Sequence, residues 1–326
     1  MSELRKEPIS RRWVIAAPER RMEHEETLSS AEKQICPFCK GNEHLTPDEI
    51  SRIDSSAGKA GEWDIRIVPD KNALLKEATS MGKYGKGMYD VMNPKGAHQI
   101  VVETPDHDKT WWDFDMSRMK KLFGIYRDVS AGFKNDSSAK HVIIVKNHGV
   151  HTSNYSHSHS HILSLPFIIK RVDDEMRSVI EYFQMKERCI YCDIIVEELG
   201  VGERILFEND SVIVFAPFAS RFPYELCIIP KNHEADYTTI KDSEIECLAE
   251  AFLFTFKRLK AALKNPSFSI VLHSSPFFKT YREEYHWHWE IKPQTDDMAG
   301  FEWGTGLYIN SITPEEAIKR LKNVML

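Results

Sequence analysis

Tyr155-Ser156-His157-Ser158-His159-Ser160-His161-Ile162-Leu163-Ser164-Leu165-Pro166-Phe167-Ile168 sets three histidines at alternate positions at the head of an apolar run. Alternate side chains of an extended strand share one face. The run therefore predicts a strand that opens with three imidazoles on one side and Ser158 and Ser160 on the other. Imidazole titrates near neutrality, is nucleophilic when neutral and binds zinc. One ring of such a row can hold a metal while the next does chemistry. The plainer alternative is a His-rich surface tract that binds metal loosely; the rest of the chain argues against it.

The chain has 326 residues, enough for two domains or one large duplicated one, and its 42% hydrophobic content allows a sizeable core. A formal charge of -6 and a pI near 6.2 argue against a nucleic-acid or membrane-surface protein, which is usually basic. No apolar stretch is long enough to span a bilayer. Met1-Ser2-Glu3-Leu4-Arg5-Lys6-Glu7-Pro8 lacks the apolar core of a signal peptide. A cytoplasmic location is expected.

Four of the six cysteines form two pairs, Cys36-Pro37-Phe38-Cys39 and Cys189-Ile190-Tyr191-Cys192. In a reducing compartment such pairs read as zinc ligands or redox pairs rather than disulfides. Cys227, in an apolar run, and Cys247, on an expected helix, read as small core residues. The pairs belong to a longer repeat. Cys36-x-x-Cys39, then Thr104-Pro105-Asp106-His107, then His157-Ser158-His159 recurs as Cys189-x-x-Cys192, Pro230-Lys231-Asn232-His233 and His286-Trp287-His288. Such self-similarity predicts duplication of one unit, with the seam near residues 171–187.

The flanking segments correspond too. Val101-Val102-Glu103 and Leu226-Cys227-Ile228-Ile229 read as strands. Each half then has an amphipathic helix: about Asp115 to Phe133, with Met119, Leu122, Phe123, Tyr126 and Val129 on one side, and about Ser243 to Leu263, with Ser243 and Glu246 as a capping box. Strands follow at His141–Val145 and Phe268–Leu272. A last helix is capped by Thr313, with Pro314 at its first position and Glu316 closing the box. Thr79 to Lys95, rich in Gly, Lys and Met, reads as an exposed loop. The order predicts an α+β fold of mainly antiparallel sheets with packed helices.

Cys36 and Cys39 have the turn spacing that lets two thiolates bind one zinc, with His107 and His157 as the remaining ligands of the same half. Cys189, Cys192, His233 and His286 repeat the set. Four protein ligands leave no place for water, so the expected role is structural. Two alternatives stand beside this: one four-cysteine site built from both pairs, and no metal at all.

Together these motifs resemble the galactose-1-phosphate uridylyltransferase family, a branch of the histidine triad superfamily. The resemblance spans nearly the whole chain. It rests on Arg11-Arg12-Trp13-Val14-Ile15, the first cysteine pair, Arg66-Ile67-Val68-Pro69, Val102-Glu103-Thr104-Pro105-Asp106-His107, Lys146-Asn147-His148-Gly149 and His157-Ser158-His159. It continues through Pro223-Tyr224-Glu225, Pro230-Lys231-Asn232-His233, Leu272-His273-Ser274-Ser275-Pro276, His286-Trp287-His288 and Gly300-Phe301-Glu302-Trp303-Gly304-Thr305-Gly306.

The resemblance implies a duplicated histidine-triad-like fold, usually a homodimer. Residues 1–170 would carry the nucleophile, and 171–326 a catalytically degenerate half in which Glu290 stands where His161 does. It implies zinc on Cys36, Cys39, His107 and His157. The second metal would sit on Cys189, Cys192, His233 and His286, or, as in other relatives, on Glu175, His273, His286 and His288. It implies His159 as the nucleophile of a ping-pong reaction. The partners would be a nucleotide sugar and a sugar 1-phosphate or phosphate, and the product of the first step a nucleotidyl-histidine. The second nitrogen of His159 must then donate to an acceptor, such as a backbone carbonyl, that fixes the tautomer. Asn147, Asn154 and His161 are candidates to stabilise the phosphoryl oxygens.

The sequence departs from the family's His-Pro-His-x-Gln at two places: Ser158 replaces Pro and His161 replaces Gln. A glutamine amide only donates to the phosphoryl group, whereas imidazole can also move protons. His161 is thus expected either to open the intermediate to water or a small anion, or simply to donate as Gln would. Arg20 is the candidate for the sugar phosphate, with Arg21 as a possible second. Glu302 is the candidate for sugar hydroxyls and Asp70 for ribose hydroxyls. The ending Gly300–Gly306 is closer to adenylyl-transferring relatives such as ADP-glucose phosphorylases. The leading expectation is a UDP-glucose:hexose-1-phosphate uridylyltransferase. The alternatives are an ADP-glucose phosphorylase-like adenylyltransferase, a histidine-triad nucleotide hydrolase, and a nucleotide-binding protein without catalysis, which the intact His159 disfavours.

Overall fold

The structure, a computed structural model, describes residues 2–9, 11–17, 35–55, 62–77, 80–149, 153, 155–277, 282–295 and 299–326. In chain order the strands and α-helices are β1 (Glu3–Lys6), β2 (Trp13–Ala16), β3 (Ser51–Asp54), β4 (Trp63–Pro69), β5 (Tyr84–Lys86), β6 (Tyr89–Met92), β7 (Ala97–Val102), α1 (Met116–Gly132), β8 (His141–His148) and β9 (His159–Leu165). Then follow α2 (Lys170–Lys186), α3 (Ile190–Val201), β10 (Ile205–Glu208), β11 (Val212–Phe215), β12 (Leu226–Pro230), α4 (Asp242–Leu263), β13 (Phe268–His273), β14 (His288–Pro293), α5 (Gly300–Thr305) and α6 (Pro314–Asn323).

Among the described residues, one ten-stranded antiparallel sheet runs in the order β10-β11-β12-β14-β13-β8-β9-β7-β4-β3. Read inward from its two edges the order is β3-β4-β7-β9-β8 and β10-β11-β12-β14-β13, the same arrangement twice. The copies meet where β8 pairs with β13, Val145 opposite Val271. The repeat seen in the motifs is therefore a repeat of strand order. The segment expected as the seam is mostly the helix α2 that carries the chain from one copy to the next.

The apolar periodicity decides which face each helix covers. Phe123 and Tyr126 of α1 and Phe252 and Phe256 of α4 pack with Ile162 of β9 and Trp289 of β14 in the main core, on one face of the sheet. The other face has thinner cover. In the first half Phe38, from the first cysteine pair, packs with Trp63, Val68, Ile100 and Val102. In the second half α2 contributes Val172, Met176 and Val179, and α3 contributes Ile195. Because Val102 pairs with His159 and Ile100 with His161, the histidines lie on this second face, under the cysteine loop. No helix among the described residues is long and apolar enough to cross a membrane.

The expected helices are present, with corrected ends. Asp115 caps α1 by accepting from Arg118 N at 2.8 Å, and Thr313 caps α6 by accepting from Glu316 N at 3.3 Å. The box expected from Ser243 and Glu246 is instead closed by Glu244, which accepts from Lys241 N at 2.8 Å. This earlier start places Asp242 and Glu244 in the first turn, where the helix dipole favours acids. Residues 84–92, expected as loop, form the β5–β6 hairpin, turned at Gly87 with φ +63°. The hairpin belongs to a small sheet in the order β2-β1-β6-β5, and its pairing to the distant β1 leaves no local periodicity to read.

Candidate active site and metal centres

The regular strand begins at His159; His157 lies just before it and turns to the cysteine loop. His159 is 3% exposed. Its Nδ1–H donates to the His157 carbonyl at 2.8 Å, which leaves Nε2 as the lone-pair nitrogen. Burial first, then the neighbouring His161, holds its pKa well below the usual histidine range, so the ring is neutral at physiological pH. The rings of Phe38 and Tyr155, with centroids 5.3 and 5.9 Å away, wall the imidazole. The arrangement presents a neutral imidazole of fixed tautomer, which can attack without prior deprotonation.

The serines point the other way, as alternation requires, into a buried polar network with no counterpart in the sequence reading. Lys146 Nζ donates to Glu103 Oε2 at 2.6 Å, Ser158 Oγ at 3.0 Å and the His159 carbonyl at 3.2 Å. Glu103 also accepts from Trp111 Nε1 at 2.9 Å and Tyr126 Oη at 3.0 Å. The polar Glu103 and Lys146, at the ends of apolar strand runs, were the available signal.

Cys36, Cys39, His107 and His157 converge, with one ligand atom of each within 4.8 Å of the others. Cys39 Sγ lies 3.2 Å from His107 Nδ1 and 3.6 Å from His157 Nδ1, and Cys36 Sγ lies 3.7 Å from His157 Nδ1. In the second half Cys192 Sγ lies 3.3 Å from His233 Nδ1 and 3.8 Å from His286 Nδ1. Zinc bonds of ~2.3 Å to sulfur and ~2.0 Å to nitrogen at a tetrahedral angle separate S and N by about 3.5 Å, so both groups fit. The hydrogen bonds made by the far nitrogens of these histidines fit as well. His157 Nε2–H donates to the Thr104 carbonyl at 2.7 Å and His233 Nε2–H to the Arg282 carbonyl at 2.5 Å, leaving each Nδ1 for a metal. Burial, then the adjacent Cys36 sulfur, pushes the Cys39 thiol up to about 11. Burial and Cys189 push Cys192 to about 12. Thiols held this way ionise readily only beside a cation.

The four-cysteine alternative is not what forms: each pair meets two histidines of its own half. The alternative set of Glu175, His273, His286 and His288 is divided. His286 turns to Cys192, while Glu175, His273 and His288 gather with Glu290.

His161 Nδ1 lies 2.9 Å from His98 Nε2, and His98 Nδ1 lies 3.2 Å from Asp70 Oδ2. His98, on β7, was missed in the sequence; it reaches His161 only through the β7·β9 pairing. Asp70 thus faces His98, with Oδ1 accepting from Asn72 N at 2.8 Å. Asn147 is on β8, two residues beyond the partner of His161, and its Oδ1 accepts from Ser269 Oγ at 2.9 Å. Glu302 accepts from Ala299 N at 3.2 Å and closes the first turn of α5; among the described residues no hydrogen bond or ion pair joins it to the histidines. Arg20 and Asn154 lie outside the described residues, as does Arg21.

Strand order, duplicated ligand sets and a tautomer-fixed histidine together define a histidine-triad-like nucleotidyl-transfer architecture. Residues 2–168 match the family described as galactose-1-phosphate uridyl transferase, N-terminal domain, and the chain belongs to that family. Residues 128–326 also match a domain of unknown function, DUF4921. The chain is 27% identical to an ADP-glucose phosphorylase of Arabidopsis thaliana, over 99% of this chain and 93% of that protein. It is 26% identical to a galactose-1-phosphate uridylyltransferase of Thermotoga maritima, over 99% and 98%. A solved uridylyltransferase superposes with a TM-score of 0.83 at 27% identity, covering 98% and 97% of the two chains. The Arabidopsis thaliana ADP-glucose phosphorylase with bound ADP-glucose superposes with 0.79 at 26% identity, covering 100% of both.

Proposed function

We propose that the protein is a nucleotidylyltransferase of the UDP-glucose:hexose-1-phosphate uridylyltransferase type, working by ping-pong through His159. The observation that carries this is the 2.8 Å bond from His159 Nδ1 to the His157 carbonyl on a buried, neutral ring. In the first step His159 Nε2 attacks the α-phosphorus of a nucleotide sugar in line, and the bond to the sugar 1-phosphate breaks. The positive charge that develops on the ring is shared with the His157 carbonyl through Nδ1–H. In the second step an oxygen of a sugar 1-phosphate or phosphate attacks the same phosphorus, and the electron pair of the P–N bond returns to Nε2. His161 is the candidate donor to the phosphoryl oxygens, with Asn147 and Asn154 as further candidates. Arg20, Asp70 and Glu302 are the candidates for holding the substrate.

Zinc on Cys36, Cys39, His107 and His157, and on Cys189, Cys192, His233 and His286, would cross-link each cysteine loop to its histidine row. Because His157 offers Nδ1 to the metal group and its carbonyl to His159, the first site also fixes the nucleophile. We further propose that residues 1–170 form the catalytic half and 171–326 a degenerate one, and that the protein is a cytoplasmic homodimer. An ADP-glucose phosphorylase-like adenylyl transfer is the second reading, supported by the Arabidopsis thaliana relative and its bound ADP-glucose. The test is intact-protein mass after separate incubation with UDP-glucose and ADP-glucose. A uridylyl adduct absent from His159→Ala supports the first reading, an adenylyl adduct the second. No adduct with either overturns both.

A further inference from the structure

We propose that Lys146 keeps the nucleotidyl-His159 adduct labile. Its ammonium, set against the backbone of the nucleophile, opposes the positive charge that the ring carries in the adduct and so favours discharge to the acceptor. This rests on the nucleotidyl-His159 reading. The observation behind it is what the second half builds at the same positions. Val145 faces His161 on β9, and Val271 faces Glu290 on β14. His161 and Glu290 each stand two residues beyond a histidine whose Nδ1 bonds the carbonyl two residues back. This register puts Leu272 in the place of Lys146. Val101 faces Ser160 as Ile228 faces Trp289, which puts Pro230 in the place of Glu103. Ser158 and Ser160 give way to Trp287 and Trp289.

These second-half residues are all buried, and Leu272, Trp287 and Trp289 belong to the main core. Over them the chain still forms the strand β14, the bond from His288 Nδ1 to the His286 carbonyl at 3.1 Å, and the group of Cys189, Cys192, His233 and His286. A histidine strand, a fixed tautomer and a metal group are therefore attainable on an apolar floor. The charges under His159 are no requirement of that architecture, and burying them costs solvation. They are confined to the half whose imidazole reacts.

The geometry gives the charge its direction. Lys146 Nζ bonds the His159 carbonyl directly, at 3.2 Å. Among the described residues the Glu103 carboxylate meets the histidine strand only through Lys146 Nζ, at 2.6 Å, and Ser158 Oγ, at 2.6 Å. The cation thus stands nearer the nucleophile than its counter-ion does. When His159 Nε2 bonds to the α-phosphorus and the P–O bond to the sugar 1-phosphate breaks, Nδ1 keeps its proton, and the neutral ring gains one positive charge. When the acceptor oxygen bonds to phosphorus, the P–N electron pair returns to Nε2 and the ring is neutral again. Nδ1 faces the backbone and Nε2 the phosphorus, so the ring lies between Lys146 and the phosphoryl group. The ammonium acts more strongly on the nearer ring charge and raises the adduct relative to both neutral-ring states. Lys146 touches no reacting atom; it is a positioning residue that acts through His159.

The full-length protein is equilibrated with UDP-glucose or ADP-glucose and glucose 1-phosphate, and the adduct fraction is read by intact mass. Lys146→Gln keeps an amide N–H for the His159 carbonyl and removes the charge. It should shift the equilibrium toward the adduct at least about threefold and slow discharge to glucose 1-phosphate. Lys146→Met with Glu103→Gln removes both charges and should shift it the same way by a smaller factor, because the nearer charge was the cation. Zinc content and urea unfolding identify folded protein, and either variant alone suffices. A merely structural Lys146 would predict the opposite sign, since a loosened His159 forms less adduct. A wild-type adduct with an equal or smaller adduct fraction in the folded variants overturns this inference and leaves the proposed function standing. An adduct seen only in the variants supports both. No adduct in any of the three proteins overturns the proposed function and this inference with it.

Discussion

Lys146→Met tests whether the polar network under the histidine strand is essential to the fold. Lys146 is 1% exposed and Glu103 0%. Burial pulls the lysine pKa down against the opposing pull of Glu103. Met keeps most of the side-chain volume and removes the charge. Glu103 then keeps neutral donors in Trp111 Nε1, Tyr126 Oη and Ser158 Oγ, the last at 2.6 Å, but no counter-charge. Removing one partner of a buried pair typically costs about 3–5 kcal/mol, because the other charge stays buried and uncompensated. That magnitude is expected here. Adding Glu103→Gln removes the orphaned charge while its carbonyl still accepts from Trp111 or Tyr126, so the double variant should recover about 2 kcal/mol. Urea unfolding followed by tryptophan fluorescence is the assay, since the Trp111 ring lies 5.1 Å from Lys146 Nζ. A cost below about 1 kcal/mol for Lys146→Met, or a double variant less stable than the single one, would refute the reasoning.

His161→Gln should preserve donation to the phosphoryl group and lower adduct hydrolysis relative to transfer about tenfold; an unchanged ratio means that His161 only donates. Cys39→Ser and Cys192→Ser should each lower bound zinc by one equivalent per chain in metal analysis, and full occupancy in either would remove that group from the metal assignment. His141, buried on β8, is held down to about 3 by burial first and then by the charge of His273. The unfolded chain's histidine titrates near ~6.5. Between those values only the unfolded state binds the proton, so stability falls as pH falls. From pH 7 to pH 5 the loss from this residue is about 2 kcal/mol. His141→Leu should lose that part of the pH slope, and parallel curves for the two proteins would contradict it.

What was legible in the sequence is what local periodicity encodes. Alternation at 157–161 fixed the shared face, and the cysteine spacing fixed two ligands of each metal group. His107 and His233 were legible only because the motif order repeats. His98 and Asp70 were not legible as partners of His161, since His98 is 63 residues away and joins it through cross-strand pairing. Lys146 and Glu103, 43 residues apart, meet for the same reason. The start of α4 was misplaced by competition between two cap candidates with equal spacing. Ser243/Glu246 and Lys241/Glu244 both leave an acid three residues on, and the second also puts Asp242 into the first turn. The β5–β6 hairpin exposes Tyr84 to Asp90, buries only Val91 and Met92, and pairs with the distant β1.

The second half repeats the backbone device of the first, and one difference between them lies where the first half has His161. His288 Nδ1–H donates to the His286 carbonyl at 3.1 Å, as His159 does to His157. The ring is 4% exposed and stands 5.0 Å from that of Tyr191, much as His159 stands by Phe38. Where the first half has His161, however, the second has Glu290, which accepts from Arg171 at 2.8 Å and from Arg221 at 2.9 Å. Burial alone would raise this carboxyl, but His273, Arg221 and Arg171 outweigh it and hold it down to about 2. A fixed carboxylate beside the imidazole repels an incoming phosphate, and its two arginines are already engaged. The nucleophile position is therefore geometrically intact and electrostatically closed, which supports our reading of this half as degenerate. His288→Gln should form the same nucleotidyl adduct as the wild type in intact-mass measurements. Loss of the adduct in this variant, with folding preserved, would move the nucleophile to the second half and overturn the assignment to His159.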